Sequence, residues 1–299
     1  MGGYVGLEWS QILHHTGADV TVLQRSDHVL SGMDPQLGRE LERTFKDEGI
    51  SLVTNVTVRQ VSPTSVPCNG SDQDGVLVRT EVNGDPREFE GTDLFLATGV
   101  SPNTTDIGLD SIEVATTESG EIRVDDTFQT TNPVVYAAGD CIGEPMLETV
   151  AAKEGNHVVR NAFGDEGVGI DYREVPKVVY TSPEVASVGV TEASYMDQHG
   201  ICTCETVRMA DVPKAKAVKD TRGFVQVVKH HETDQIVGVH MVGPRAADMI
   251  SEATLAIRFG LKVDDIIDTI HPFPTFSEAF KHACQAFRRD VSQMSCCVE

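Results

Sequence analysis

The 299-residue chain is poor in basic residues, with 24 Lys and Arg against 46 Asp and Glu, and its formal net charge is −22. Such a charge repels the phosphate backbone of nucleic acids and the anionic surface of membranes. No continuous run of about 18 apolar residues offers a membrane-spanning helix. We therefore expect neither nucleic-acid binding nor membrane insertion. The shortage falls mostly on Lys (9 Lys beside 15 Arg), and we interpret the acidic surface as halophilic, suited to a salty cytoplasm.

The chain also lacks an even set of cysteines, with seven in all. An odd number without a recognisable secretory signal does not indicate a disulfide framework, so we expect a reducing, cytoplasmic compartment. No C-x₄-C pair occurs. Cys202 and Cys204 share one face of a predicted strand, but no further His or Cys stands at zinc-like spacing. We expect both to be ordinary strand residues.

The first residues carry a glycine pattern typical of nucleotide binding. Gly3 and Gly6 form the back half of a G-x-G-x-x-G turn, whose glycines let the backbone approach a diphosphate at a helix N-terminus. A helix ending at Gly17 and a strand over 18–23 provide the expected context. Met1 stands where the first glycine belongs and no strand precedes it. We expect the chain to be a fragment or a gene model that starts too late.

The segments that follow predict an α/β fold. We predict an amphipathic helix at 35–49, a loop at 62–74 and two buried strands at 93–99 and 134–141, each of which runs into a glycine turn. This order fits a doubly wound nicotinamide-binding domain without its first strand, followed by part of a second nucleotide domain. Beyond a linker at 164–173, strands precede helices. This order predicts a separate α+β domain.

Five motifs in sequence order resemble those of the flavoprotein disulfide reductases. They are Gly3-Tyr4-Val5-Gly6-Leu7-Glu8, Ala97-Thr98-Gly99-x-x-Pro102-Asn103-Thr104, Tyr136-Ala137-Ala138-Gly139-Asp140, Thr181-x-Pro183-Glu184-Val185-Ala186-x-Val188-Gly189 and Pro274-Thr275-Phe276-Ser277-Glu278. The resemblance implies FAD and nicotinamide cofactors and a homodimer. It implies a nicotinamide domain at 1–98, the second half of the FAD domain at 99–172 and a dimerisation domain at 173–299.

The same resemblance assigns cofactor contacts to particular residues, with Asp140 hydrogen-bonding the ribityl chain of FAD. The residues are Gly3, Gly6, Glu8, Gly99, Gly139 and Asp140. The family's first dinucleotide turn and its redox-active cysteine pair have no counterpart in this sequence.

The end of the second strand in such a fold, here the strand predicted over 18–23, sets the choice of nicotinamide. An acid there pairs with the ribose of NAD, whereas an arginine suits the 2′-phosphate of NADP. Gln24 occupies the acid's position and Arg25 follows. We expect NADPH to be preferred.

The C-terminal Cys296-Cys297 pair resembles the tail of mercuric reductases. Thiolates bind large polarisable cations such as Hg(II), so the resemblance makes Cys296 and Cys297 metal ligands and catalytic residues that receive Hg(II) from thiol complexes. The alternatives are exposed thiols on a frayed end, or a lipid anchor that the C-a-a-X pattern fits poorly.

Phe273 stands where relatives that reduce lipoamide or glutathione place a proton-transferring histidine. Phenylalanine cannot move a proton, which disfavours a disulfide substrate. It also lacks the hydroxyl of the tyrosine often found in mercuric reductases. We therefore expect FAD-dependent reduction of Hg(II) by NADPH, as part of a longer enzyme. The alternatives are another reductase such as dihydrolipoamide dehydrogenase, or a non-catalytic dimerising remnant.

Overall fold

The computed structural model describes residues 2–68, 71–143, 145–164 and 166–289. The chain divides into two compact units, one formed by residues 1–98 with 176–299 and the other by residues 99–175. The assignment of three functional domains, at 1–98, 99–172 and 173–299, stays a prediction.

The N-terminal part of the first unit is an alternation of helices and parallel strands. Helix α2 begins at Pro35 because the Asp34 carboxylate accepts a hydrogen bond from the backbone N–H of Gln36 (2.9 Å), and it stops at Gly49, whose φ is +97°. The helix predicted at 35–49 is confirmed. The elements are α1 (Tyr4–His15), β1 (Thr21–Leu23), α2 (Pro35–Glu48) and β2 (Ser51–Val53), with β1 parallel to β2.

A three-stranded antiparallel sheet follows. Its strands contain residues 62–68 and 71–74, so the loop predicted at 62–74 is wrong for these residues. Its strands, in the order β3-β4-β5, are β3 (Val56–Cys68), β4 (Ser71–Val82) and β5 (Asp85–Gly91). Pro63 and Pro67 indicated a loop because proline cannot donate to a strand ladder. Both lie in β3, an edge strand with one neighbour, where a missing donor is tolerated.

The two buried strands predicted at 93–99 and 134–141 are wrong. In the described part of the chain, both segments are irregular apart from a bridge between Tyr136 and Gln129 and a short 3₁₀ turn from Asp140. Leu96 is 69% exposed and Val134 83% exposed. A β-strand needs a hydrogen-bonded neighbour, and an apolar composition does not provide one. Helix α3 (Glu148–Gly164) follows these segments.

The C-terminal part of the first unit has the predicted α+β character. Its five-stranded antiparallel sheet has the order β6-β7-β10-β9-β8. The strands are β6 (Lys177–Val179), β7 (Glu184–Gly189), β8 (Cys204–Arg208), β9 (Phe224–Lys229) and β10 (Ile236–Gly243). The helices are α4 (Glu192–His199), α5 (Pro213–Val218), α6 (Ala246–Arg258), α7 (Val263–Asp268) and α8 (Glu278–Ala286).

Both faces of this sheet are packed. On one face, Val225 and Met241 belong to a buried cluster with side chains of α6 and α8, among them Phe280. On the opposite face, Phe224 belongs to a second buried cluster with α1 and α2 residues such as Phe45. The second cluster joins the nucleotide-type elements to the sheet. Among the described residues, no helix has the length and apolar character required to cross a membrane.

We expect Phe45→Ala to lower the free energy of unfolding by about 3–5 kcal/mol, because Phe45 is completely buried in the second cluster. Urea unfolding followed by the fluorescence of Trp9, the single tryptophan, measures this unit. Phe259→Ala is the matched control, since Phe259 is 69% exposed and its removal should change stability by less than about 0.5 kcal/mol. Equal effects of the two variants would contradict this account of the core.

Candidate functional site

The glycine turn before α1 forms an open helix N-terminus. Gly3 is the N-cap residue of α1, its backbone is extended, and no side chain caps the helix. A Cβ added at Gly3 would meet nothing within 4 Å. The first N–H groups of a helix have no intrahelical partner and carry partial positive charge, so this end suits an anion. The diphosphate of a dinucleotide is such an anion, and its predicted contact with Gly3 stays a prediction.

Gln24, which the sequence marked only as a missing acid, holds this turn in place. The side-chain Oε1 of Gln24 accepts a hydrogen bond from the backbone N–H of Gly2 (2.5 Å), and its Nε2 donates to the carbonyl of His28 (3.1 Å). Gln24 is 6% exposed. Its amide therefore links the glycine turn to the end of β1, where Arg25 follows with an exposed side chain.

Gly2 itself lies too close to its neighbours for a larger residue. A Cβ there would meet Cγ1 of Val29 at 2.6 Å, and the carbonyl of Gly2 accepts a hydrogen bond from Leu30 N–H (2.7 Å). The tight backbone approach thus falls at Gly2, whereas a Cβ at Gly3 would meet nothing. The G-x-x-G spacing alone did not reveal it.

Gly6 and Glu8 occupy different environments on α1. Gly6 is buried, and its carbonyl accepts a hydrogen bond from Ser10 Oγ (2.5 Å). Glu8 is half-buried, and its Oε1 accepts a hydrogen bond from the backbone N–H of Tyr180 (2.8 Å), just after β6. The Glu8 carboxylate thus connects α1 to the five-stranded sheet. Its predicted contact with a cofactor stays a prediction.

The second unit contains the other predicted cofactor residues. Gly99 and Gly139 both have positive φ (+97° and +81°), which explains the choice of glycine at these turns. Asp140 begins a 3₁₀ turn and its side chain is exposed. An exposed carboxylate presented by a fixed turn can accept hydrogen bonds from a polyhydroxyl chain, so Asp140 fits the ribityl contact expected from the resemblance.

Glu154, a residue that no motif indicated, fixes the turn at Gly139. It lies on α3, is 2% exposed, and its Oε2 accepts a hydrogen bond from Gly139 N–H (2.6 Å). Its Oε1 accepts a hydrogen bond from the Tyr172 hydroxyl (2.7 Å). Burial and this hydrogen bond raise the pKa of Tyr172 well above its usual range, so the phenol remains a donor. Fifteen residues separate Glu154 from Gly139, so no short pattern could have shown the contact.

The residues of interest near the C-terminus are in different situations. Cys296 and Cys297 lie outside the described residues. Phe273 is half exposed and precedes a cis peptide bond to Pro274. His271 is held internally, with Nε2 2.8 Å from Glu252 Oε1 and Nδ1 3.0 Å from the carbonyl of Thr269. These contacts give His271 a structural role.

Family models match both parts of the chain. The model described as pyridine nucleotide-disulphide oxidoreductase matches residues 2–155, and the dimerisation domain of the same class matches residues 175–284. The chain belongs to the pyridine nucleotide-disulphide oxidoreductases. It has the mixed α/β flavoprotein disulfide reductase fold, as predicted. The descriptions of the two models indicate pyridine-nucleotide-dependent oxidoreductase chemistry and a dimerisation domain for the family.

Relatives from this family fall into two groups of similar identity. The mercuric reductase of Bacillus cereus is 36% identical over 297 residues, which are 99% of this chain and 46% of that protein. The dihydrolipoyl dehydrogenase of Bacillus subtilis is 35% identical over 286 residues, 95% of this chain and 59% of that protein. The predicted resemblance to mercuric reductases is confirmed. The chain spans about half the length of these relatives.

Solved structures agree with the fold. The crystal structure of LpdA from Mycobacterium tuberculosis has a TM-score of 0.84 and 29% identity, over 96% of this chain and 60% of that one. A Cu(II) complex of the HOCl-induced flavoprotein disulfide reductase RclA from Escherichia coli has a TM-score of 0.85 at 23% identity, over 95% of this chain and 62% of that one. The second likeness concerns the fold alone.

Glu154→Ala should loosen the turn at Gly139, because it leaves two donors without their acceptor at a cost of about 1–3 kcal/mol each. We expect the Gly139 amide to exchange its hydrogen at least about ten times faster, measured by mass spectrometry or NMR. Glu148→Ala, at an exposed position in the first turn of the same helix, is the control. Unchanged exchange at Gly139 in Glu154→Ala would show that the buried carboxylate does not hold the turn.

In a longer enzyme that contains this chain, Arg25→Ala should reduce the preference for NADPH over NADH, because the exposed guanidinium of Arg25 is the group expected to pair with the 2′-phosphate. The measurement is the ratio of kcat/KM for the two cofactors. Arg39→Ala, which removes an arginine from α2, controls for the general loss of one positive charge. An unchanged ratio in Arg25→Ala would refute the assignment.

Proposed function

We propose that this chain contributes the nicotinamide-binding turn, part of the flavin site and the dimerisation domain of a longer FAD-dependent enzyme that reduces Hg(II) to Hg(0) with NADPH. The observation that carries the proposal is the combination of Phe273 with the Cys296-Cys297 pair in a chain 35–37% identical to several mercuric reductases. The proposal includes a cytoplasmic location, where thiols stay reduced.

The chain's own residues have distinct tasks in this proposal. The N-terminus of α1 at Gly3 binds the cofactor diphosphate, and Gln24 keeps that turn in position. Arg25 pairs with the 2′-phosphate, and Asp140, on the turn held by Glu154, accepts hydrogen bonds from the flavin's ribityl chain. Bound flavin supplies the transfer of an electron pair from the nicotinamide to the acceptor.

Cys296 and Cys297 would receive Hg(II) by ligand exchange. Each thiol attacks a thiol-bound Hg(II), a sulfur–mercury bond forms, and the leaving thiolate takes up the proton that the cysteine releases. Two adjacent soft ligands can make this exchange stepwise, so a bare ion is never released. No oxidation state changes until the metal reaches the electron-transferring centre of the longer enzyme.

The region of Phe273 supports a metal substrate over a disulfide. Reduction of a disulfide needs a group that moves protons to and from the substrate thiols, and phenylalanine has none. In relatives with a disulfide substrate, the glutamate at the position of Glu278 orients the histidine. In this chain the Glu278 carboxylate accepts a hydrogen bond from the backbone N–H of Thr275 (3.0 Å). His271 cannot take over without breaking its contact with Glu252. This is the argument against the dihydrolipoyl dehydrogenase alternative, which the sequence identity alone leaves open.

In the complete dimeric enzyme, replacing both Cys296 and Cys297 with Ala should slow turnover of thiol-bound Hg(II) by about tenfold or more, since a positioned metal ligand is lost. Flavin reduction by NADPH, followed by stopped-flow absorbance, should be almost unchanged because it does not use the tail. Ser292→Ala with Ser295→Ala changes the same segment without touching a thiol and should keep full turnover.

Two results would overturn the proposal. One is equal mercury turnover in the wild type and the double-cysteine variant with glutathione in excess. The other is efficient oxidation of dihydrolipoamide by the wild-type enzyme, which would return the function to the dihydrolipoyl dehydrogenase class despite Phe273.

A further inference from the structure

Cys202 and Cys204, expected to be ordinary strand residues, lie together with a carboxylate. Cys204 opens β8, and Cys202 precedes the strand. Their sulfur atoms are 3.3 Å apart, and Cys202 Sγ is 2.9 Å from Glu192 Oε1 on the first turn of α4. One ligand atom from each of the three residues lies within 4.8 Å of the others. We propose that Glu192, Cys202 and Cys204 form a binding site for Zn²⁺.

The backbone fixes the two cysteines on one side of the chain. Thr203, between them, is tied to the neighbouring strand, because its Oγ1 donates to the carbonyl of Lys229 (2.5 Å) and its carbonyl accepts from Lys229 N–H (3.0 Å). Successive side chains of an extended chain point to opposite sides. Anchoring Thr203 therefore directs both thiols the other way, toward Glu192.

The carboxylate is oriented by two neutral amides. Gln226 Nε2 and Gln36 Nε2 both donate to Glu192 Oε2 (3.0 Å each), which leaves Oε1 facing the sulfur atoms. Gln226 is 1% exposed, and its Oε1 has no hydrogen-bond partner among the described residues. Such a hydrogen-bonded outer layer is what metal-binding carboxylates require. The unpaired buried oxygen is a second sign that a polar partner belongs here.

The spacing of the sulfur atoms favours zinc over a linear mercury complex. Two thiolates bound to Zn²⁺ at about 2.3 Å with tetrahedral angles lie about 3.8 Å apart, whereas the same bonds in a linear arrangement separate them by about 4.6 Å. The observed 3.3 Å is closer to the tetrahedral value. Glu192 supplies the third ligand, and the half-buried to exposed setting leaves a fourth position for water.

Metal binding must displace protons from this cluster. Burial raises the pKa of the Cys204 thiol far above its usual range, and the hydrogen bonds and negative charge of its neighbours Glu192 and Cys202 raise it further. The hydrogen bonds from these thiols and from the two amides lower the pKa of Glu192 in spite of its partial burial. Zn²⁺ replaces the two thiol protons, forming two Zn–S bonds and releasing two H⁺, so affinity should rise with pH.

The test uses the full 299-residue chain carrying Cys296→Ser and Cys297→Ser, so the terminal thiols cannot bind the metal. Competition with a chromophoric chelator should show one Zn²⁺ per chain, and Cd²⁺ should give the ultraviolet thiolate-to-metal absorption of a two-sulfur site. Adding Cys202→Ser or Cys204→Ser should weaken Zn²⁺ binding by about 100-fold or more and remove that absorption. Glu192→Gln should weaken it by about tenfold.

Cys141→Ser is the matched control, since it removes a thiol outside the cluster and should leave Zn²⁺ affinity unchanged. Circular dichroism checks that each variant folds, and the exposed Cys202 provides a substitution with little effect on packing. Zn²⁺ affinity that is equal in the parent and Cys202→Ser would overturn the proposal. So would Cys202 and Cys204 found joined as a disulfide after purification with reductant. Neither result bears on mercury reduction, because the terminal pair is absent from every protein in the test.

Discussion

The five-stranded sheet β6-β7-β10-β9-β8 carries apolar side chains on both faces. Each face must be buried under other elements, and this constraint determines how the first unit is arranged. Helices α6 and α8 cover one face. The other is covered by α1 and α2, so the nucleotide-type elements are bound to the sheet by burial rather than by chain connection alone. Burial of apolar area at roughly 25 cal/mol per Å² makes such a contact the dominant favourable term. The glycine turn before α1 depends on it, because α1 is one of the covering helices.

The face covered by α1 and α2 changes from apolar to polar along the strands, as the strand register shows. At one end Val185, Val242 and Phe224 are aligned across the sheet and belong to the apolar cluster. Two residues further along each strand, Ser187, His240 and Gln226 form an aligned polar row, with Ser187 Oγ 2.8 Å from His240 Nδ1. Burial lowers the pKa of His240, so the row is uncharged. The next row ends at Cys204, a ligand of the proposed Zn²⁺ site. The same face of the sheet therefore carries the apolar cluster at one end and this site two rows away.

How much the sequence predicted depends on how local the cause was. Helix α2 was predicted to within a residue because Pro35 and Gly49 set its ends locally. The prediction of a loop was wrong for residues 62–68, which include two prolines. Proline is tolerated in an edge strand, and only the pairing of the strands decides which strand lies at the edge. The residues that hold the candidate sites in place were also not predicted, because their contacts are not local in the sequence. Gln24, Glu154 and Glu192 act on residues 22, 15 and 10 positions away in the chain, and no motif encodes such contacts.

The proposed roles of the residues bear differently on mercuric reductases and dihydrolipoyl dehydrogenases, two enzyme classes that match the chain at similar identity. In the proposed function, the turns at Gly3 and Gly139 bind the nicotinamide and flavin cofactors, and Gln24 and Glu154 support these turns. Those tasks do not depend on the final electron acceptor. In the proposed function, the acceptor depends on a few side chains near the C-terminus, where proton transfer and soft-metal exchange demand different chemistry. A single apolar residue such as Phe273 therefore carries more weight for the proposed reaction than the difference between 36% and 35% identity.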